Sequence, residues 1–243
     1  MNALRTIGQV TAAWVVTTAL GVPLILLMLC SFGRLREAIG RPGIRAWGKA
    51  LLWVGGVKLV VEGAEHLDGR RPRIVTFNHI STLDSFIVNA LLPDGGMPVA
   101  ARSSLPIFGQ ILVLGPIIVL DKGGGPRSRA AMKKVEARIR DEALSLLIAP
   151  EGTRRGEDKP SRFKLGAFEL ARVTGAPIVP MVIMGAERLM PYGALTTKPG
   201  RLVIRILPPI PSDGFTTDNL RDQADALHER YRVELGLGEP TGR

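Results

Sequence analysis

The sequence predicts an α/β fold: a largely parallel central sheet flanked by helices, with an N-terminal membrane-embedded helical segment. Three observations carry that expectation. Short β-branched runs alternate with longer stretches of helical spacing along most of the chain. Apolar residues make up 46 % of the 243 residues and concentrate near the N-terminus. No charged residue occurs from Ile7 to Cys30, a run of about 24 residues against the roughly 20 that cross a bilayer.

This first run is most apolar at Leu24-Ile25-Leu26-Leu27-Met28-Leu29. Gly21 and Pro23 interrupt it near its middle, so a kinked span or a shallow membrane hairpin is expected. A cleaved signal peptide fits less well, because the run is long, Arg5 is its only basic flank and no small-x-small site follows. Leu29 stands before Cys30 where a lipoprotein needs a small residue. Arg34, Arg36, Arg41, Arg45 and Lys49 follow the run. Whether the segment spans or dips into one leaflet, this charge places the rest of the chain on the cytoplasmic face of the cell membrane. Residues 43–57 stay mostly apolar and contain Trp47 and Trp53. They suit an interfacial helix with its rings at headgroup depth, the other reading being a core helix of the soluble domain.

Beyond this segment, 57–61 and 73–77 read as strands, and 83–92 as a helix closed by Pro93. Pro116 to Leu120 is a compact apolar run, expected as a buried strand. Ala131, Val135, Ile139 and Leu144 recur at near-helical spacing and predict a helix over 128–143. A buried strand over 144–149, a helix including 168–173, strands at 178–183 and 201–206, and a last helix over 217–235 complete the alternation.

Charge and composition narrow the function. Lys and Arg total 32 against 22 Asp and Glu, a net charge of +10. Such a surface suits nucleic acid, an anionic membrane or anionic substrates. Nucleic acid is disfavoured: aromatics are only 5 %, no known module appears, and the basic residues do not gather on a recognition helix. One cysteine excludes an internal disulfide framework, and with three histidines no metal site is expected.

Two constellations carry chemistry. In Asn78-His79-Ile80-Ser81-Thr82-Leu83-Asp84, an imidazole is followed by a carboxylate five residues on. An imidazole can take a proton from an attacking hydroxyl, and a carboxylate on its other nitrogen fixes the tautomer. On an ideal helix that spacing separates two residues by about 140°. They meet only if His79 lies in a strand-to-helix turn and Asp84 in the first helical turn. A capping histidine and a first-turn aspartate would share the same pattern. Ser81 as a nucleophile is a poor reading, because no Gly-x-Ser-x-Gly elbow exists in the chain. The second constellation is Pro150-Glu151-Gly152-Thr153-Arg154, after a buried strand. Its glycine admits close backbone approach and its arginine offers a fork for phosphate. Arg155, Lys159, Arg162 and Lys164 extend the positive field, although an exposed basic loop would look alike.

Together these motifs resemble the glycerolipid acyltransferase family, and within it the enzymes that acylate 1-acylglycerol 3-phosphate, or lysophosphatidic acid. The ordered blocks are Asn78-His79-x4-Asp84, Gly115 to Lys122, Pro150 to Arg154 and Ile178-Val179-Pro180, with Phe163-Lys164-x-Gly166-Ala167 after the third. The resemblance covers roughly residues 57–207. With the N-terminal membrane anchor and interfacial helix read above over 1–56, it implies an acyltransferase domain over 57–243. It implies transfer of a fatty acyl chain from acyl-CoA or acyl carrier protein to lysophosphatidic acid, giving phosphatidic acid, with no cofactor and no acyl-enzyme. His79 would be the general base and Asp84 its partner. Lys122, Glu151, Gly152, Thr153, Arg154 and Lys164 would form the acceptor side, and Pro180 would shape the pocket or acyl tunnel. Membrane lipids and the lysophospholipid acceptor are the implied partners. Two departures stand out: Lys122 follows Asp121 where the family usually has arginine, and Ala149 stands where phenylalanine is usual. They leave open another lysophospholipid or a lyso-aminolipid as acceptor. A catalytically silent membrane-binding homologue is the reading from another class.

Overall fold

The computed structural model describes residues 3–32, 34, 36–68, 72–91, 96–101, 118–120, 125–152 and 159–237. Among these residues, seven strands form one sheet in the order β1-β7-β6-β2-β5-β3-β4. They are β1 (Val57–Glu62), β2 (Ile74–Phe77), β3 (Met97–Ala101), β4 (Ile118–Leu120), β5 (Leu146–Ile148), β6 (Ile178–Met184) and β7 (Gly200–Ile206). Every neighbouring pair is parallel except β6 with β7, so β1 and β7 run against the other five. The sheet is therefore largely parallel, as expected. β3 is a strand that the sequence conceals: Met-Pro-Val-Ala-Ala lacks the β-branched run that marks its neighbours.

Alternation along the strands sorts the core onto two faces. Ile74, Leu146, Ile178 and Val182 face one way, with α4 (Pro126–Glu142), α5 (Gly166–Thr174) and α7 (Leu220–Glu234) over them. Val75, Phe77, Leu147, Val179 and Met181 face the other way, against α3 (Leu83–Leu91) and Leu52 of α2 (Arg36–Val54). A short helix α6 (Ala186–Leu189) follows β6.

At the N-terminus, α1 (Ala3–Cys30) runs without a break through Pro23. The chain reverses at 31–34, where Phe32 takes a left-handed φ of 50°, rather than at Gly21 and Pro23. α2 returns antiparallel to α1: Ile44 packs with Leu24 and Ile25, and Trp47 Nε1 donates to Thr17 Oγ1 at 3.1 Å. From Ala3 to Leu27, α1 is long and apolar enough to cross a membrane, by length and composition. Its beginning is nevertheless tied to the α/β unit. Gln9 Nε2 donates to Thr197 O at 2.9 Å, and Thr197 N–H donates back to Gln9 Oε1 at 3.2 Å.

The two tryptophans part company. Trp47 is buried, its ring edge-on to Phe86 of α3 at 5.1 Å between centroids, whereas Trp53 is 81 % exposed. The headgroup placement expected for both thus fails for Trp47. Its aromatic area is better buried against α3 than left at an interface.

Candidate functional site

β2 ends at Phe77, and the next five residues build the turn into α3. Asn78 is buried and locks the turn to β6. Its side-chain amide donates to Ile183 O at 2.8 Å, and Ile183 N–H donates to its Oδ1 at 2.8 Å. Ser81 Oγ accepts from Leu83 N–H at 3.1 Å and donates to Met190 O at 2.6 Å, so it caps α3 and ties it to the loop after α6.

These ties set His79 in the turn and Asp84 in the first turn of α3, as the spacing required. His79 Nδ1 lies 3.2 Å from Asp84 Oδ2, which also accepts Ser81 N–H at 2.7 Å. Asp84 is fully buried, whereas the His79 side chain keeps 18 % of its surface exposed. Asp84 Oδ1 has no hydrogen-bond partner among the described residues. The pair sits at the C-terminal end of the parallel strands, where open α/β sheets place their ligands. Among the described residues, no group of three His, Cys, Asp or Glu is arranged to hold a metal ion.

β5 lies beside β2, and its exit carries the second constellation to the same place. Glu151 is buried and joins three segments. His79 N–H donates to its Oε1 at 2.9 Å, and Ser161 donates to its Oε2 from N–H at 2.9 Å and from Oγ at 3.3 Å. Burial pushes its carboxyl above the ordinary 4.5, and the donors from His79 and Ser161 pull it back only in part. Gly152 adopts φ +75°, and a Cβ there would lie 2.7 Å from Lys164 Cε. The absent side chain thus lets Lys164 lie across the turn, held by its own N–H to Pro150 O at 2.8 Å.

The structure accordingly brings together His79, Asp84, Glu151, Gly152 and Lys164. Lys122, Thr153 and Arg154 lie outside the described residues. Two of the expected site residues have their partners inside the protein. Glu151 does not offer its carboxylate to a phosphate, which it would repel; both oxygens are engaged within the protein. Pro180 is a buried residue of β6, in register with Thr76 and accepting Leu207 N–H at 2.8 Å.

A proline inside a ladder supplies no N–H, and here a residue from the far end of the chain fills in. The buried Tyr231 of α7 reaches between β2 and β6. Its hydroxyl accepts Met181 N–H at 3.2 Å and donates to Thr76 O at 2.9 Å. Ser161 and Tyr231 carried no local signal in the sequence, because each acts through partners far away along the chain.

Comparison with known proteins agrees with this geometry. The chain is 31 % identical over 233 residues to a Limnanthes alba protein named 1-acyl-sn-glycerol-3-phosphate acyltransferase, covering 95 % of this chain and 82 % of that one. It is 30 % identical over 174 residues to the human 1-acyl-sn-glycerol-3-phosphate acyltransferase alpha, covering 71 % and 62 %. In fold it is similar to the crystal structure of the 1-acyl-sn-glycerophosphate (LPA) acyltransferase from Thermotoga maritima. That match has a TM-score of 0.78 at 23 % identity and covers 99 % of this chain and 100 % of the other. A family model described as acyltransferase matches residues 58–184, from β1 through β6 and across both constellations. With the family model over more than half of the chain and relatives at about 30 % identity, the chain belongs to the acyltransferase family.

Proposed function

We propose that the protein moves a fatty acyl chain from an acyl thioester to the free hydroxyl of lysophosphatidic acid, giving phosphatidic acid. The observation that carries this is the 3.2 Å contact of His79 Nδ1 with buried Asp84 at the C-terminal mouth of the sheet. Relatives bearing the name 1-acyl-sn-glycerol-3-phosphate acyltransferase support the acceptor.

In this mechanism Asp84 holds the proton on Nδ1 of His79, which leaves the Nε2 lone pair for the acceptor. Nε2 takes the hydroxyl proton as the oxygen attacks the thioester carbonyl. The tetrahedral intermediate collapses with loss of the thiolate, which takes the proton from the imidazolium. An oxygen ester and a free thiol result, with no acyl-enzyme and no bound cofactor. Gly152 and Lys164, with Lys122, Thr153 and Arg154, hold the acceptor phosphate. Glu151 fixes the backbone of the base. Lys122, a point charge where the family usually carries a planar fork, favours a second reading in which another lysophospholipid is the acceptor.

The helical hairpin serves as the membrane attachment. Because Gln9 docks on Thr197, both ends of the hairpin lie on the side of the α/β unit. This supports a hairpin dipping into one leaflet over a single span. The basic residues Arg34, Arg36, Arg41, Arg45 and Lys49 favour the anionic cytoplasmic leaflet. Residues 1–56 would then form the anchor and 57–243 the catalytic unit, although α2 also closes the core over α3.

Thiol release from acyl-CoA by detergent-purified protein tests the reaction, with lysophosphatidic acid as acceptor. Turnover is expected to need the acceptor and to fall by about 10²–10⁴-fold in His79→Ala, with an unchanged melting temperature. Near-normal turnover in that variant would overturn the mechanism, and turnover only with another lysolipid would move the acceptor.

A further inference from the structure

We propose that a cleft on the β6 side of His79 receives the nucleotide and pantetheine arm of a coenzyme A thioester, with Arg188 as its phosphate contact. This rests on the acyl-transfer function above and adds the side from which the donor enters. Strand order makes the argument. β2 carries His79 and lies between β5 and β6, all three parallel. The C-terminal end of β5 leads into Glu151 and Gly152 beneath Lys164, the acceptor side. The C-terminal end of β6 leads away from it, into Met184, Gly185 and α6.

An open cleft of about 840 Å³ lies there, within the range of small-molecule sites. Ile80, the residue after His79, forms part of its wall, so the cleft borders the turn that carries the base. Met184, Pro191, Tyr192 and Leu235 supply apolar and aromatic surface, Arg188 supplies positive charge, and Glu187 lines the cleft beside it. The Arg188 side chain is 79 % exposed, and its ion pair with Glu187 is long at 3.7 Å. Gly185, at φ +81°, makes room for it: a Cβ there would lie 2.6 Å from the guanidinium. A guanidinium beside an aromatic ring and an apolar wall matches a phosphorylated nucleotide with a flexible, largely apolar arm. Both substrates carry phosphate and both must reach Nε2, so two separate basic flanks fit the reaction better than one. A concave cleft of this size fits a small-molecule donor, whereas a carrier protein docks on a broader surface.

The test is calorimetric binding of free coenzyme A to the full chain in detergent, wild type against Arg188→Glu and Arg188→Gln. Steady-state kinetics with acyl-CoA and lysophosphatidic acid accompany it. Exposure of Arg188 makes both variants compatible with an unchanged melting temperature. The expected result is coenzyme A binding weakened by about tenfold or more in Arg188→Glu, less in Arg188→Gln. KM for the donor rises while KM for the acceptor stays constant. Equal binding by wild type and both variants, no binding of coenzyme A by wild type, or a shift confined to the acceptor KM would overturn the proposal. Binding is read without turnover, so a failure of the acyl-transfer function would show separately, as undiminished activity in His79→Ala or as silence with lysophosphatidic acid.

Discussion

At the scale of single residues, the division between Asp84 and Glu151 matters most. Both are buried carboxylates near His79, but they face different parts of it: Asp84 meets the ring nitrogen and Glu151 the backbone N–H. Asp84→Asn keeps an oxygen for Ser81 N–H and loses the charge that stabilises the imidazolium. Its kcat is expected to fall by about 10²–10⁴-fold with little change in acceptor KM, as steady-state kinetics would show. Glu151 has a linkage signature instead. Its folded carboxyl titrates above the ordinary 4.5 because burial disfavours the charge. Its contribution to stability is therefore fully present below that value and lost as pH rises through the raised one. Glu151→Gln lacks this loss. The melting temperature of wild type minus that of Glu151→Gln is expected to be larger at about pH 5 than at about pH 8. A difference that stays flat or grows with pH would contradict the assigned burial effect.

At the scale of elements, β2 and β6 are the pair on which the site depends. Tyr231 stitches them together beside Pro180 at Thr76, which lies three residues before His79. Tyr231→Phe leaves Met181 N–H and Thr76 C=O short of a partner in a dry setting. Chemical denaturation is expected to show a loss of about 1–3 kcal/mol, with a drop in kcat that exceeds any change in KM as the His79 turn loosens. A variant as stable as wild type would mean that water or backbone movement replaces the hydroxyl. The strand and helix over 73–92 were legible because β-branched and apolar spacing is local information. So were α4, β6, β7 and α7, to within a few residues. β3 was not, since its residues extend because β4 and β5 flank it and not through their own propensity.

At the scale of the whole molecule, the hairpin and the α/β unit act as one body. α2 packs on α3, which carries Asp84, so the hairpin proposed as the membrane attachment also backs the helix of the proposed site. Trp47→Ala removes a buried ring and its bond to Thr17, and is expected to cost about 3–5 kcal/mol and to release α1 from α2. Cys30, exposed at the end of α1, provides a test of the hairpin. With protein in sealed vesicles, a membrane-impermeant maleimide is expected to leave Cys30 unmodified from either side until detergent is added. Labelling from either side of intact vesicles would place the tip in water and refute the half-leaflet placement.

The amino-acid sequence alone determined the alternating α/β architecture, the apolar N-terminal run and the pairing of His79 with Asp84. Each depends on residues close together in the chain: periodicity, turn residues, and a base and acid five positions apart. Tertiary structure decided what depends on distant partners. It placed the reversal after α1 at 31–34 instead of at Pro23, because α2 offers α1 an antiparallel face to pack on. It turned Glu151 inward, because two N–H donors meet it there. It also brought Tyr231 to the gap beside Pro180, 51 positions earlier in the chain. Long-range contacts of this kind leave no period and no motif in a single chain, so only packing reveals them.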